Sequence, residues 1–122
     1  MADLEISAGR LIIHIKGFDQ IFARESRLEV PLQHISRVEG SPPDAHDIFK
    51  GLRMGGTNVP GVITAGRFLR GGEWSFWDVH DPAKSIAIYL HDEGYARLVI
   101  GVDDPQAAID MIRSATGGGS IG

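Results

Sequence analysis

The sequence predicts a mostly-β domain (α+β in class): an antiparallel β-barrel of about seven strands closed by one C-terminal α-helix. Three observations in the last third of the chain predict it. Residues 85–91 and 95–102 each alternate apolar and polar side chains with period two, the pattern of half-buried strands. Between them, Asp92-Glu93-Gly94 suits a three-residue hairpin loop, a type I turn closed by a glycine in the left-handed region. An amphipathic helical segment follows at once and needs a surface for its apolar side. The loop pairs His91 with Tyr95, Leu90 with Ala96, Tyr89 with Arg97 and Ile88 with Leu98. Ile86, Ile88, Leu90, Ala96, Leu98 and Ile100 then share one face, so turn and pattern agree on register.

From the N-terminus, Leu4-Glu5-Ile6 and Leu11 to Ile15 flank Ala8-Gly9 and read as one bent strand or a short hairpin ending at Gly17. Phe18, Ile21 and Phe22 have the spacing of one helical turn with three apolar side chains on one side. They read as a plug for a barrel end, the alternative being an exposed anchor for a partner or a lipid surface. In Leu28-Glu29-Val30-Pro31-Leu32, Leu28, Val30 and Leu32 point inward, and Pro31 marks an edge strand or a strand end. Ile35 and Val38 continue the apolar set into a strand over residues 36–39, and Gly40-Ser41-Pro42-Pro43-Asp44 breaks it.

Residues 41–61 form the longest irregular stretch and are expected to pack over a barrel face, Ile48, Phe49, Leu52 and Met54 supplying the apolar contact. Residues 62–69 and 74–79 read as a second hairpin. A two-residue Gly71-Gly72 turn would pair Arg70 with Glu73 but set Phe76 beside Arg67. A three-residue loop sets Phe68 opposite Phe76 and Arg67 opposite Trp77, and is preferred for its cleaner apolar pairing. His80-Asp81-Pro82 turns the chain into the closing hairpin. Asp103-Asp104-Pro105 then starts the helix with an aspartate cap and a proline at the first helical position. Ala108, Ile109, Met111, Ile112 and Ala115 fall on one side, Gln106, Asp110, Arg113 and Ser114 on the other. The expected domain is residues 1–116, with 117–122 a flexible glycine-rich tail or the start of a linker.

A chain of 122 residues is one domain, large enough to bury a core without disulfides or metals. Apolar content of 43% is that of an ordinary soluble protein. A net charge of −4 speaks against a non-specific nucleic-acid binder, and the absence of cysteine excludes thiolate metal sites and disulfides. No apolar run is long enough to span a membrane. Asp3 and Glu5 stand where a signal peptide would be basic, so the expected location is cytoplasmic.

Leu28-Glu29-Val30-Pro31-Leu32-Gln33-His34-Ile35-Ser36-Arg37-Val38 resembles the apolar-Pro-Leu-x-x-Ile-x-x-Val signature of bacterial pleckstrin-homology-like (PH-like) domains. Residues 98–105 and the helix after them are similar to the last strand and helix of that group. The resemblance covers roughly residues 10–115, and the glycine-rich segment 41–61 departs from the simplest pattern. It implies a binding or assembly module, often homo-oligomeric, with no catalytic residues to carry over.

Chemistry-bearing groups are sparse. His46, His80 and His91 each neighbour aspartates, but none has a recognised ligand spacing and all fall in expected turns. In Lys50-Gly51-Leu52-Arg53-Met54-Gly55-Gly56-Thr57 the lysine precedes the glycines and no helix follows, so the phosphate-loop context fails. Lys16, Arg24 and Arg27 are diluted by Asp19 and Glu25, which leaves little field for a phosphoinositide headgroup. Arg67–Trp77 and Tyr89–Arg97 read as cross-strand cation–π pairs on an outer face, better than as a nucleic-acid surface.

The expected function is non-enzymatic: protein–protein contact, self-association included, without cofactor or metal. The candidate interface is Arg67, Trp77, Tyr89, Tyr95 and Arg97, an outward aromatic and arginine set. The competing expectations are a ligand-binding or catalytic barrel roofed by 41–61, with His46, Asp78 and His80 lining its pocket, and a weak membrane-surface module.

Overall fold

The computed structural model describes residues 2–15, 27–42, 52–59 and 63–117. The Phe18/Ile21/Phe22 turn, His46, the Lys50 end of the glycine-rich segment and the tail beyond Gly117 lie outside the described residues.

The chain opens as a hairpin of β1 (Ala2–Ser7) and β2 (Arg10–Ile15), with Ser7 opposite Arg10. Ala8 and Gly9 between them both have positive φ, 52° and 76°, the pattern of a type I′ turn whose twist matches that of paired strands. β3 (Arg27–Pro31) pairs with β2 on its other side and completes a three-stranded sheet. Pro31 closes this edge strand, where a missing N–H costs least, as the sequence predicts.

A second sheet holds β4 (Ile35–Gly40), β5 (Leu52–Val59), β6 (Ile63–Arg70), β7 (Glu73–Val79), β8 (Ser85–Leu90) and β9 (Arg97–Gly101), in the order β4-β8-β9-β7-β6-β5. Among the described residues the chain is therefore mostly β, with two sheets and a C-terminal helix, and these sheets do not close into a barrel. One ladder is not antiparallel: β9 inserts between β8 and β7 and runs parallel to β7. Close approach at the far end of that ladder accounts for Gly101, where a Cβ would stand 3.3 Å from the Asp78 carbonyl oxygen.

Both hairpins test the expected registers. In β8–β9, Tyr89 faces Arg97 and Ile88 faces Leu98, and the Leu90 N–H donates to the Ala96 carbonyl at 2.9 Å, all as expected. The loop differs in detail. Asp92, not Gly94, takes the positive φ (58°), a conformation aspartate tolerates, and the His91 N–H donates to His34 O instead of facing Tyr95. In β6–β7 the preferred three-residue loop is wrong. Arg70 faces Glu73, Arg67 faces Phe76 and Phe68 faces Ser75 around a two-residue turn with Gly71 and Gly72 at φ 61° and 81°. A second difference is that residues 52–59, expected in an irregular flap, form β5 and pair with β6.

One cause explains the register error. Matching apolar to apolar across a hairpin assumes one wet face, and this sheet is buried on both. On one face Val38, Ala65, Phe76, Ile86, Ile88, Leu98 and Ile100 pack with Leu11, Ile13, Ile15 and Val30 of the three-stranded sheet. On the other, Phe68, Trp77, Val79, Ala87 and Val99 form a second apolar cluster, every member 3% exposed or less.

Helix α1 (Pro105–Ala115) closes the first core, lying against β4 and β8. The Asp104 side chain caps it by accepting from the Ala107 N–H at 3.1 Å, and Pro105 occupies the first turn. Ala108, Ile109 and Ile112 are its buried stripe, while Met111 and Ala115 are half-buried. The helix ends where the Thr116 hydroxyl donates to Ile112 O at 3.0 Å and Gly117 turns left-handed. Among the described residues no helix is long and apolar enough to cross a membrane.

Candidate functional site

The side chains that gather polar chemistry do so on the second face of the six-stranded sheet. Registry puts four of them in line across its strands: Arg37 of β4 faces Tyr89 of β8, Tyr89 faces Arg97 of β9, and Arg97 faces Ser75 of β7. Directly opposed side chains share a face and stand within contact distance. The Arg37 guanidinium carbon lies 3.9 Å from the Tyr89 ring centre, and that of Arg97 lies 5.3 Å from the Trp77 ring and 6.0 Å from the Tyr89 ring. Guanidinium and aromatic groups thus alternate across four neighbouring strands, each cation against the negative face of a ring.

Hydrogen bonds lock this row. The Tyr89 hydroxyl donates to Glu39 Oε1 at 2.5 Å, and Glu39 Oε2 lies 3.8 Å from Arg37. Trp77 Nε1 donates to the Ser75 hydroxyl at 2.9 Å, so the buried indole keeps its one donor satisfied. Burial raises the Tyr89 pKa and the Glu39 carboxylate raises it further, while Arg97 opposes both.

At the end of the row the surface opens into a cleft of about 480 Å³, lined by Ser36, Arg70, Glu73, Trp74, Ser75, Tyr89, Leu90, Ala96 and Arg97. Ser36 reaches it through the irregularity in β4, where the pairing shifts between Ile35 and Arg37. Beside the cleft, the loop after β8 is tied to the turn before β4. His34 Nδ1 lies 2.5 Å from Glu93 Oε2, and the rings of His34 and His91 are 5.6 Å apart.

The five expected interface residues do not form one patch. Tyr89 and Arg97 face each other across the β8–β9 ladder, and both are half-buried. Trp77 does not face solvent: it is fully buried in the second core. Tyr95 is half-buried, packs against the first core and meets Phe76 edge-on at 5.8 Å. Arg67 is exposed but lies over Trp74 (5.6 Å), not Trp77, because the two-residue turn shifts its strand. Arg37 belongs to the row and escapes the sequence reading, since the β4–β8 pairing joins strands far apart in the chain. Its only sequence signal is the alternation Arg37-Val38-Glu39 around a buried valine.

Of the alternative pocket set, only Asp78 and His80 fall among the described residues. Asp78 is fully buried, His80 is exposed, and neither lines the cleft. Arg27, the one described member of the basic set weighed for lipid, pairs with Glu29 at 3.1 Å. Among the described residues no group of three or more His, Asp or Glu is placed to hold a metal ion. Comparison of the chain with protein-family models, with curated proteins and with solved structures finds no match.

Proposed function

We propose that this chain is a non-enzymatic binding module that works through protein contact, self-association included, in a cytoplasmic setting. Its contact surface is the open end of the Arg37–Tyr89–Arg97 row. The observation that carries this reading is the cleft itself: arginine, tyrosine and tryptophan border it, the residue types that dominate protein interfaces. The reading keeps the PH-like resemblance at the level of plan, two sheets closed at one end by a C-terminal helix. The parallel β7–β9 ladder is where this chain departs from an antiparallel barrel.

A cleft of this volume is also of small-molecule size, which favours ligand binding as the second reading. Sedimentation velocity over a concentration series tests the first. The expected result is a concentration-dependent larger species that Arg97→Glu abolishes while the fold, read by circular dichroism, is kept. A monomer at every concentration contradicts self-association.

A further inference from the structure

We infer that the cleft binds a short neutral saccharide. The inference rests on the ligand-binding reading of the cleft and adds the chemistry of the ligand.

The cleft sits where the first residues of β7 and β9 meet the last of β8, so it draws side chains from both faces of the sheet. Its charges are close to balanced among the described residues. Arg37, Arg70 and Arg97 stand in or beside it against Glu39, Glu73, Asp92 and Glu93. The two arginines that line it are engaged, since Arg70 and Arg97 both have partners within the protein and Arg97 also lies against the rings of Trp77 and Tyr89. A charged ligand of either sign therefore finds little net field here.

What the cleft holds open is hydrogen-bonding capacity. Among the described residues, the Glu73 carboxylate, the Trp74 indole N–H and the Ser36 hydroxyl make no hydrogen bond or ion pair, and all three residues line the cleft. That set is one charged acceptor, one neutral donor and one group that is both. A sugar hydroxyl donates and accepts in turn, so neighbouring hydroxyls match the set without bringing a charge. The carboxylate accepts from hydroxyls more strongly than a neutral acceptor does. An anion would instead set its charge against Glu73, and an amine would set its own against Arg70 and Arg97. Leu90, Ala96 and Trp74 give apolar surface for the C–H side of a sugar ring, and the volume of about 480 Å³ is that of a small-ligand site.

The test is ligand-observed saturation-transfer NMR of maltose, cellobiose and diacetylchitobiose with the full chain. At least one is expected to bind saturably in the millimolar range, with no dependence on added salt. Glu73→Ala and Trp74→Ala each weaken that binding ~10-fold, as for the loss of a hydrogen bond to a charged group or of a ring contact. Trp74→Phe, which keeps a ring, weakens it less. Arg10→Gln, an exposed arginine on the other sheet, leaves it unchanged. Circular dichroism checks that each variant keeps the fold. Binding also shifts tryptophan emission to the blue, an effect lost in Trp74→Phe, where the buried Trp77 is the sole indole. Absence of saturation by all three sugars, weakening by salt, or undiminished binding by Glu73→Ala overturns the inference. If the sugars fail while a free nucleoside or amino acid binds with the same Trp74 dependence, the saccharide inference falls alone. If none of them binds, the ligand-binding reading falls with it.

Discussion

Arg37 and Tyr89 face each other across the β4–β8 ladder, the guanidinium 3.9 Å from the ring centre, while the phenol hydroxyl donates to Glu39 two residues along β4. One tyrosine thereby joins a cation, a carboxylate and the neighbouring Arg97 into a single arrangement across three strands. It occupies the boundary between the buried second core and the open cleft, which is why its protonation and its packing are linked.

That linkage has a sign. The Tyr89 pKa lies above the ordinary tyrosine value, from burial first and the Glu39 carboxylate second. The folded protein therefore holds the phenol proton more tightly than the unfolded chain does. This contribution to stability is complete below the ordinary tyrosine pKa and is lost as pH rises through the raised value. Denaturant unfolding across that alkaline window is expected to show the wild type losing more stability than Tyr89→Phe. Phenolate absorbance is expected to show Tyr89 titrating late, a phase that Tyr89→Phe removes.

The helix is held by its buried stripe and its cap. Ile112 is fully buried between α1 and the first core, so Ile112→Ala is expected to cost about 2–5 kcal/mol and Ile112→Asp to unfold or detach the helix. Asp104→Ala, which removes only the cap to Ala107, is expected to cost about 1 kcal/mol. Urea midpoints of the three variants give the ranking directly.

Two glycines with the same nearest distance are expected to respond differently. A Cβ at Gly40 would stand 3.3 Å from Ile109 Cδ1, the far end of a side chain that can shift. A Cβ at Gly101 would stand 3.3 Å from the Asp78 carbonyl oxygen, with Val79 Cα and His80 N close behind, the backbone at the end of β7 and just past it. Gly101→Ala is therefore expected to cost about 1–3 kcal/mol, and Gly40→Ala to cost less. Thermal denaturation of the pair checks this, and with it the close parallel approach of β7 and β9.

The two-residue turn offers an independent check of register. Gly71 and Gly72 both have positive φ, so Gly71→Asn is expected to be tolerated and Gly71→Val to cost about 1–2 kcal/mol. A three-residue loop, with Phe68 opposite Phe76, would show no such contrast.

The alternation of Ile86, Ile88, Leu98 and Ile100 made the closing hairpin and its core legible, because a strict period of two admits one register. Asp104, Pro105 and the Ile109/Ile112 spacing did the same for the helix. The second core was not legible. Phe68, Trp77, Ala87 and Val99 fall at the positions that a one-sided sheet would turn to water, and nothing local says that this face is covered. From that came the misplaced Trp77 and the wrong β6–β7 register. The row was half legible: Tyr89 and Arg97 come from one hairpin, whereas Arg37 arrives through a pairing that no local pattern encodes.

The six-stranded sheet buries apolar side chains on both faces, with Trp77 beneath the arginine row and Trp74 at the cleft. Quenching of tryptophan emission by acrylamide in a Trp74→Phe variant, which leaves Trp77 as the sole indole, tests this most directly. A blue-shifted emission shielded from the quencher until the protein unfolds is the expected result. A red-shifted, freely quenched emission in the folded protein would put Trp77 on the surface and contradict the account.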